Sequence, residues 1–155
     1  NLENKGIQKA IDTLKRYDIE VSLFINPDEA SIHKAKALGA DFVELHTGAY
    51  ANLHNALFTN ILKTPYQIKG LDLSRQELKT RLQKEIQNII NSANLGLNLG
   101  LKIAAGHGLN YKNTKEIAQI SSICELNIGQ SIIARAVFVG LERAIKEMKA
   151  LINAK

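Results

Sequence analysis

The chain has 155 residues, a formal net charge of +5, 45% hydrophobic residues and 23% charged residues, as in an ordinary globular domain. No apolar run approaches the roughly 20 residues of a membrane-spanning helix, and the first residues lack the pattern of a signal peptide. A single cysteine, Cys124, excludes an internal disulfide and fits a reducing compartment. We therefore expect a cytoplasmic protein with no membrane partner.

The positive charge has two interpretations. Basic residues alternate with acidic ones at helical spacing, as in residues 141–155, which is typical of solvated helix faces. Aromatic residues make up only 5% of the chain, and no basic stripe carries interleaved aromatics. Nucleic acid is therefore not expected as a partner, whereas a basic balance suits small phosphorylated substrates equally well. A non-catalytic basic module that binds nucleic acid remains the alternative from another class.

Hydrophobic periodicity predicts an initial helix and then strands that alternate with helices. The strands are expected over residues 21–25, 42–46, 101–104 and 125–129, the first of them buried on both faces. The helices are expected over residues 1–18, 27–38, 74–96, 113–122 and 139–152, with a helical turn over 131–136 and a short helix inside a connection of about 25 residues after the second strand. The caps are predicted at Asn26 and at Ser74, where Glu77 completes a capping box.

This alternation implies parallel strands joined by right-handed crossovers, as in an open doubly wound sheet or a (β/α)₈ barrel. The barrel is favoured because no strand end carries the three-glycine nucleotide fingerprint, and because polar residues share the strand ends. These residues are Asn26, Glu44, His46, His107 and Asn127. Since a barrel needs about 250 residues, the chain is predicted to be the C-terminal portion of one TIM-barrel domain over residues 1–155. It would supply about the last four βα units, with the N-terminal part of the barrel absent.

Three ionisable residues near the strand ends are candidates for acid–base chemistry. Glu44 lies within an apolar strand, so it is either a structural carboxylate paired with Lys or Arg, or a general base or electrostatic stabiliser. His46 shares its face and is interpreted as a hydrogen-bonded core histidine. His107 is the stronger candidate because Gly106 and Gly108 leave room for a substrate. The alternative for His107 is a histidine that caps a tight turn.

A phosphate site is predicted at the turn that follows the fourth strand. The segment Gly129–Gln130–Ser131 leads directly into a helical turn, and bare amides at a helix N-terminus bind phosphate. An ordinary βα turn is the alternative. A metal site formed by Glu44, His46 and His107 is possible in principle, but nothing in the chain shows a compact metal-ligand spacing, so no metal is expected. Cys124 is interpreted as a packing residue, and His33 and His54 as surface residues.

Five segments in one order resemble the pyridoxine 5'-phosphate synthase family. They are VSLFI at 21–25, ELHTGAY at 44–50, AGHGLNY at 105–111, ELNIG at 125–129 and IARA at 133–136. The resemblance covers essentially the whole chain and matches the later part of the family's barrel. It implies an enzyme of vitamin B6 biosynthesis that condenses 3-amino-2-oxopropyl phosphate with 1-deoxy-D-xylulose 5-phosphate. The products are pyridoxine 5'-phosphate, phosphate and water.

The resemblance also implies roles for individual residues. His107 takes the place of the family's proton donor, and Glu44 that of its transition-state-stabilising glutamate. Gly108 falls on a substrate contact, and Gly129 and Gln130 on the phosphate-binding pair. The resemblance implies no metal or organic cofactor, and it implies assembly as a homo-octamer.

The chain also departs from the family. Gln130 stands where the family often has histidine, which leaves a backbone phosphate contact unchanged, and the connection between residues 51 and 73 is longer than in many members. The family's other acid–base residues lie in the part not present here, so this chain alone lacks much of the site. The runner-up is another phosphate-binding barrel enzyme, an aldolase or epimerase. Such enzymes commonly need a metal or a Schiff-base lysine, and the sole lysine in a predicted strand, Lys102, lies at the strand start.

Overall fold

The computed structural model describes residues 5–154, which alternate between helices and strands as predicted. The strands are β1 (Ser22–Ile25), β2 (Phe42–His46), β3 (Lys102–Gly106) and β4 (Glu125–Asn127). The helices are α1 (Lys5–Lys15), α2 (Glu29–Ala37), α3 (Gly48–Phe58), α4 (Arg75–Asn98), α5 (Thr114–Ala118), α6 (Gln130–Val139) and α7 (Leu141–Asn153). A 3₁₀ turn at Ile61–Lys63 lies between α3 and α4. The predicted first helix began at residue 1, and its first four positions lie outside the described residues.

The strands form one parallel sheet in the order β1-β2-β3-β4. Each neighbour in the sheet is therefore also the neighbour in the sequence, and each pair is joined by a helical crossover. The register places His46 beside Gly106, and Gly106 beside Asn127. The carboxyl ends of three strands thus meet at the same edge of the sheet. The predicted α/β class with parallel strands is confirmed.

One face of the sheet is buried beneath the helices. Val43 and Leu45 of β2 are fully buried on this face, and they pack with Ile32 of α2 and Ile89 of α4. Phe42, Glu44 and His46 alternate with them and are only half-buried on the opposite face. The alternation of apolar and polar side chains therefore sends the ionisable residues of β2 away from the core.

The prediction that the first strand is buried on both faces is wrong. Ser22 is exposed and the Phe24 side chain is 53% exposed, whereas Ile25 is buried. β1 is an edge strand, and Phe24 pairs in register with Glu44, on the face that the helices leave open. The bulky apolar sequence of residues 21–25 predicted a strand correctly, but it did not predict that this strand lies at the edge of the sheet.

Several helix ends differ from the sequence prediction. Asp28, rather than Asn26, caps α2, since its Oδ1 accepts a hydrogen bond from the Ser31 amide at 2.8 Å. The capping box of Ser74 and Glu77 is present as predicted. α5 has only 5 residues and α6 has 10, so the predicted helix over 113–122 was too long and the turn over 131–136 too short.

The largest difference concerns the connection after β2. An 11-residue helix, α3, begins at Gly48, so Thr47 alone separates it from the strand. The sequence predicted only a short helix within a connection of about 25 residues, whereas α3 starts at once and has no side-chain cap. Burial of Tyr50, Ala51 and Leu53 stabilises the helix instead. The short link fixes the end of β2 rigidly beside the end of β3.

Candidate active site

A cavity of about 690 Å³ opens at the carboxyl ends of the strands. All five predicted site residues border it: Glu44, His107, Gly108, Gly129 and Gln130. Phe24 of β1 and Asn55 of α3 also line the cavity and were not predicted. Asn26 and His46 were grouped with the strand-end residues in the sequence but are not among the lining residues. The volume is sufficient for small phosphorylated molecules.

Glu44 reaches the cavity from the middle of β2. Its Oε2 accepts a hydrogen bond from Nδ2 of Asn127 at 2.8 Å. One interpretation of the sequence was a structural carboxylate paired with a lysine or an arginine. Among residues 5–154, no lysine or arginine forms an ion pair with Glu44. An amide partner on one oxygen leaves the carboxylate charge free to act on a ligand in the cavity.

Gly106 at the end of β3 makes room for that carboxylate. A Cβ atom built on Gly106 would overlap Oε1 of Glu44 and would lie 2.9 Å from the carbonyl oxygen of Asn127. Real Cβ atoms do not approach other atoms so closely. The Glu44 side chain can therefore lie across β3 only because residue 106 is a glycine, which has no Cβ atom. Gly106 therefore leaves space for the carboxylate of Glu44 on the neighbouring strand.

His107 lies in a strained turn directly after β3. Its backbone has φ +81°, and Gly108 follows with φ +78°. A positive φ is unusual for a residue with a Cβ, and such strain tends to occur at functional sites. Asn113, which is 1% exposed, stabilises the turn: its Oδ1 accepts from the Asn110 amide at 2.7 Å and its Nδ2 donates to the Gly108 carbonyl at 3.2 Å. The exposed imidazole of His107 is therefore attached to a turn whose backbone is fixed by hydrogen bonds from a buried side chain.

His46 packs against His107 instead of forming the predicted hydrogen bond. The two imidazole rings stack with centroids 4.5 Å apart and an interplanar angle of 28°. Phe24 meets the His46 ring edge-on at 5.1 Å. Within residues 5–154, no hydrogen bond to the His46 ring is present. Burial lowers the pKa of His46, and the adjacent His107 lowers it further. The neutral form of His46 is thus favoured beside His107.

His54 on α3 is half-buried, contrary to the predicted surface position. Its Nδ1 is buried and has no hydrogen-bond partner among the described residues, and burial lowers the pKa of the ring. His33 is exposed, as predicted. Cys124 is exposed rather than packed, and its thiol donates to the Ile103 carbonyl at 3.3 Å.

The two histidines with lowered pKa predict an acid-sensitive fold. Below the ordinary pKa of 6.5, the unfolded chain takes up protons that folded His46 and His54 bind less readily. The contribution of these two histidines to the free energy of unfolding should be constant above this pH and should become destabilising as the pH decreases from about 6.5. Urea unfolding of the complete protein across this range measures the effect. His54→Gln should reduce this pH dependence relative to the wild type; an unchanged slope in His54→Gln would contradict the prediction.

The turn after β4 forms the other side of the cavity. Gly129 is the N-cap of α6, and the helical ladder begins with the bond from the Ile133 amide to the Gly129 carbonyl at 3.1 Å. The amides of residues 130–132 precede that ladder and carry the positive end of the helix dipole. Ser131 Oγ donates to the Leu109 carbonyl at 2.9 Å, which ties this turn to the loop of His107. An anion can therefore be held in the same cavity as the imidazole.

Two further observations concern metals and membranes. Within residues 5–154, no group of three or more His, Cys, Asp or Glu side chains is arranged to hold a metal ion. In the same range, none of the helices combines the length and the apolar character that crossing a bilayer requires.

The chain is thus an α/β protein with a cavity at the carboxyl ends of its parallel strands. A carboxylate, an imidazole and a helix N-terminus border this cavity, and the helix N-terminus can bind an anion such as phosphate. Residues 1–154 match the family described as "Pyridoxal phosphate biosynthesis protein PdxJ". The chain belongs to this family.

Three similar proteins have the same name. The chain is 58% identical over 153 residues to the pyridoxine 5'-phosphate synthase of Campylobacter lari, covering 99% of this chain and 60% of that protein. It is 53% identical to the protein of the same name from Aliarcobacter butzleri, over 95% of this chain and 56% of the relative. The protein of the same name from Nautilia profundicola is 52% identical, over 96% and 57%. The chain thus spans less than two thirds of the length of these relatives.

Proposed function

We propose that this chain forms part of a pyridoxine 5'-phosphate synthase. The reaction condenses 3-amino-2-oxopropyl phosphate with 1-deoxy-D-xylulose 5-phosphate to give pyridoxine 5'-phosphate, phosphate and water, in vitamin B6 biosynthesis. The observation that carries the proposal is the convergence of Glu44, His107 and the amino end of α6 on one cavity. Membership of the PdxJ family and the shared name of its relatives support it.

We propose further that the four βα units belong to a (β/α)₈ barrel, as the C-terminal portion of a single domain over residues 1–155. The parallel sheet with strands in sequence order supports this, since a barrel is built in that way. β1 and β4 lie at the two edges of the described sheet, where further strands can pair. In a closed barrel, the open face with Phe24 and Glu44 becomes the interior.

The homo-octamer and the cytoplasmic location also remain proposals. Apolar side chains on α6 support burial of this surface by more protein, because Val137 is 78% exposed and Phe138 is 85% exposed. A biosynthetic family that handles phosphorylated metabolites is consistent with the cytoplasm. No cofactor is proposed, and neither nucleic acid nor a membrane is proposed as a partner.

The condensation requires imine formation, loss of phosphate, loss of water and several proton transfers. We assign proton donation to a leaving oxygen to His107, whose ring faces the cavity from the end of β3. A positioned acid of this kind contributes roughly 10²- to 10⁴-fold in rate. We assign stabilisation of positive charge on the substrate nitrogen to Glu44, since its carboxylate has no cationic partner among the described residues.

The substrate phosphate is proposed to bind at Gly129 and Gln130, with Gly108 contacting the same substrate. The amides at the start of α6 supply the donors, so a glutamine in place of the family's frequent histidine leaves binding intact. Holding the phosphate there fixes the reacting atoms between His107 and Glu44, which all border the same cavity.

A Schiff-base aldolase is the competing class, and the surroundings of Lys102 disfavour it. Lys102 is exposed at the start of β3, the end opposite to the cavity, and its Nζ lies 2.5 Å from Oε1 of Glu20. This hydrogen bond raises the pKa of Lys102, whereas a Schiff-base lysine must lose its proton.

The proposal is tested with the complete protein as expressed from its gene. Incubation with both substrates should release phosphate and pyridoxine 5'-phosphate in equal amounts, and omission of either substrate should abolish both products. Borohydride added with substrate should leave the protein mass unchanged. Covalent trapping on a lysine would contradict the proposal in favour of an aldolase, and the absence of both products would reject it.

A further inference from the structure

Thr47 forms the whole connection between β2 and α3, and it is completely buried. Its amide donates to the Gly106 carbonyl at 2.8 Å, which extends the pairing of β2 with β3 by one residue. Its Oγ1 lies 2.7 Å from the carbonyl oxygen of Gly106 and 2.7 Å from that of His107. One buried hydroxyl is thus shared between two successive carbonyls of the turn that carries the imidazole.

These contacts act on the part of the backbone that is strained. His107 has φ +81°, a conformation that residues with a Cβ avoid unless their surroundings impose it. The carbonyls of residues 106 and 107 accept from Thr47, and that of residue 108 accepts from Nδ2 of Asn113. Two buried side chains therefore fix three consecutive peptide groups around His107.

The same strand end also constrains the imidazole ring. His46 precedes Thr47 and stacks on the His107 ring at 4.5 Å. A Cβ on Gly48, which follows Thr47, would lie 2.5 Å from Cε1 of His46 and 3.1 Å from Cδ2 of His107. Residues 46–48 therefore all act on His107. His46 stacks on its ring, Thr47 bonds to its carbonyl, and Gly48 leaves the space that both rings occupy.

We propose that Thr47 is a positioning residue for His107: its hydroxyl holds the 106–108 turn so that the imidazole points into the cavity. This inference rests on the proposed function for its catalytic consequence, although the geometry applies to any reaction that uses His107. Without the hydroxyl, the turn can relax towards negative φ and the ring can leave its stack with His46. The requirement is for a hydroxyl at residue 47, rather than for a side chain of a particular volume.

The test compares Thr47→Val with Thr47→Ser in the complete protein. Valine retains the branched shape and removes the donor, whereas serine retains the donor and loses one methyl group. We expect kcat to fall by roughly 10-fold or more in Thr47→Val with little change in KM, and to return to within about 3-fold of wild type in Thr47→Ser. Thr80→Val is the matched control, because the Thr80 hydroxyl donates to the Gln76 carbonyl on the exposed face of α4.

A second readout does not depend on turnover. The NMR resonances of the His107 ring carbons report its stacking on His46, so they should shift in Thr47→Val and stay near their wild-type positions in Thr47→Ser. Thr47→Ala gives a second hydroxyl-free variant, and it replaces valine in the comparison if Thr47→Val does not fold.

The outcomes separate the alternatives. Wild-type kcat and unshifted His107 resonances in Thr47→Val or Thr47→Ala would overturn the proposal. Equal losses in the valine and serine variants, accompanied by equal falls in Tm, would assign Thr47 to packing and also overturn it. Shifted His107 resonances in a protein whose wild type makes no pyridoxine 5'-phosphate would support the positioning role and reject the proposed function.

Discussion

His107→Asn is expected to lower kcat of the complete protein by roughly 10²- to 10⁴-fold, because it removes the proposed proton donor. Asparagine is the informative substitution, since it tolerates positive φ better than most residues and His107 has φ +81°. Folding should be preserved because the His107 side chain is exposed and the turn is held through its carbonyls. Steady-state kinetics with both substrates, together with thermal unfolding, measures the two effects.

His107→Ala should show the same loss of turnover with a larger loss of stability, because alanine is strained at this φ. The matched control is His33→Asn, which changes an exposed histidine on α2, outside the cavity. His33→Asn should retain wild-type kinetics. Turnover near the wild-type value in both His107 variants would remove this residue from the proposed role.

The second large effect is expected at Glu44. Glu44→Gln keeps the shape and an oxygen that can accept from Nδ2 of Asn127, but it removes the negative charge. We expect kcat to fall by about 10²-fold, as for the loss of one electrostatic stabiliser, with a smaller change in KM. The measurement is the steady-state rate with each substrate varied in turn.

Two further variants decide whether charge and position both matter. Glu125→Gln makes the same chemical change on exposed β4 outside the lining of the cavity, so it should retain activity. Gly106→Ala should lower kcat like Glu44→Gln, because the added methyl group occupies the space of the Glu44 carboxylate. Full activity in Gly106→Ala would contradict the placement of Glu44 across β3, and full activity in Glu44→Gln would contradict its proposed role.

The local pattern of the sequence was sufficient wherever one segment determines its own structure. Val43 and Leu45 alternate with the polar Glu44 and His46, and the bounds of β2 were predicted correctly. Ser74 and Glu77 carry their capping box in the sequence. Parallel strands place their carboxyl ends at one edge, which is why residues as far apart as Glu44 and Gln130 could be predicted to border one cavity.

The errors occurred where a segment depends on its neighbours. Residues 21–25 have the composition of a central strand, but β1 is an edge strand of the described sheet. The position of a strand in a sheet depends on which other strands pair with it, and residues 21–25 do not specify that. The helix over residues 48–58 has no side-chain cap, and the burial of Tyr50 depends on residues outside that segment. The Tyr50 hydroxyl donates to the carbonyl of Asn113, 63 residues away.

The sequence by itself determined the parallel α/β class and the chemical types that gather at the strand ends, because periodicity and connection length are local properties. Only the tertiary structure decided how those groups are held: His46 stacked on His107, Thr47 bonded to the carbonyls of residues 106 and 107, and Gly106 vacant beneath Glu44. Each of these contacts joins residues about 60 positions apart. Their geometry follows from the register of β2 against β3, which no single segment specifies.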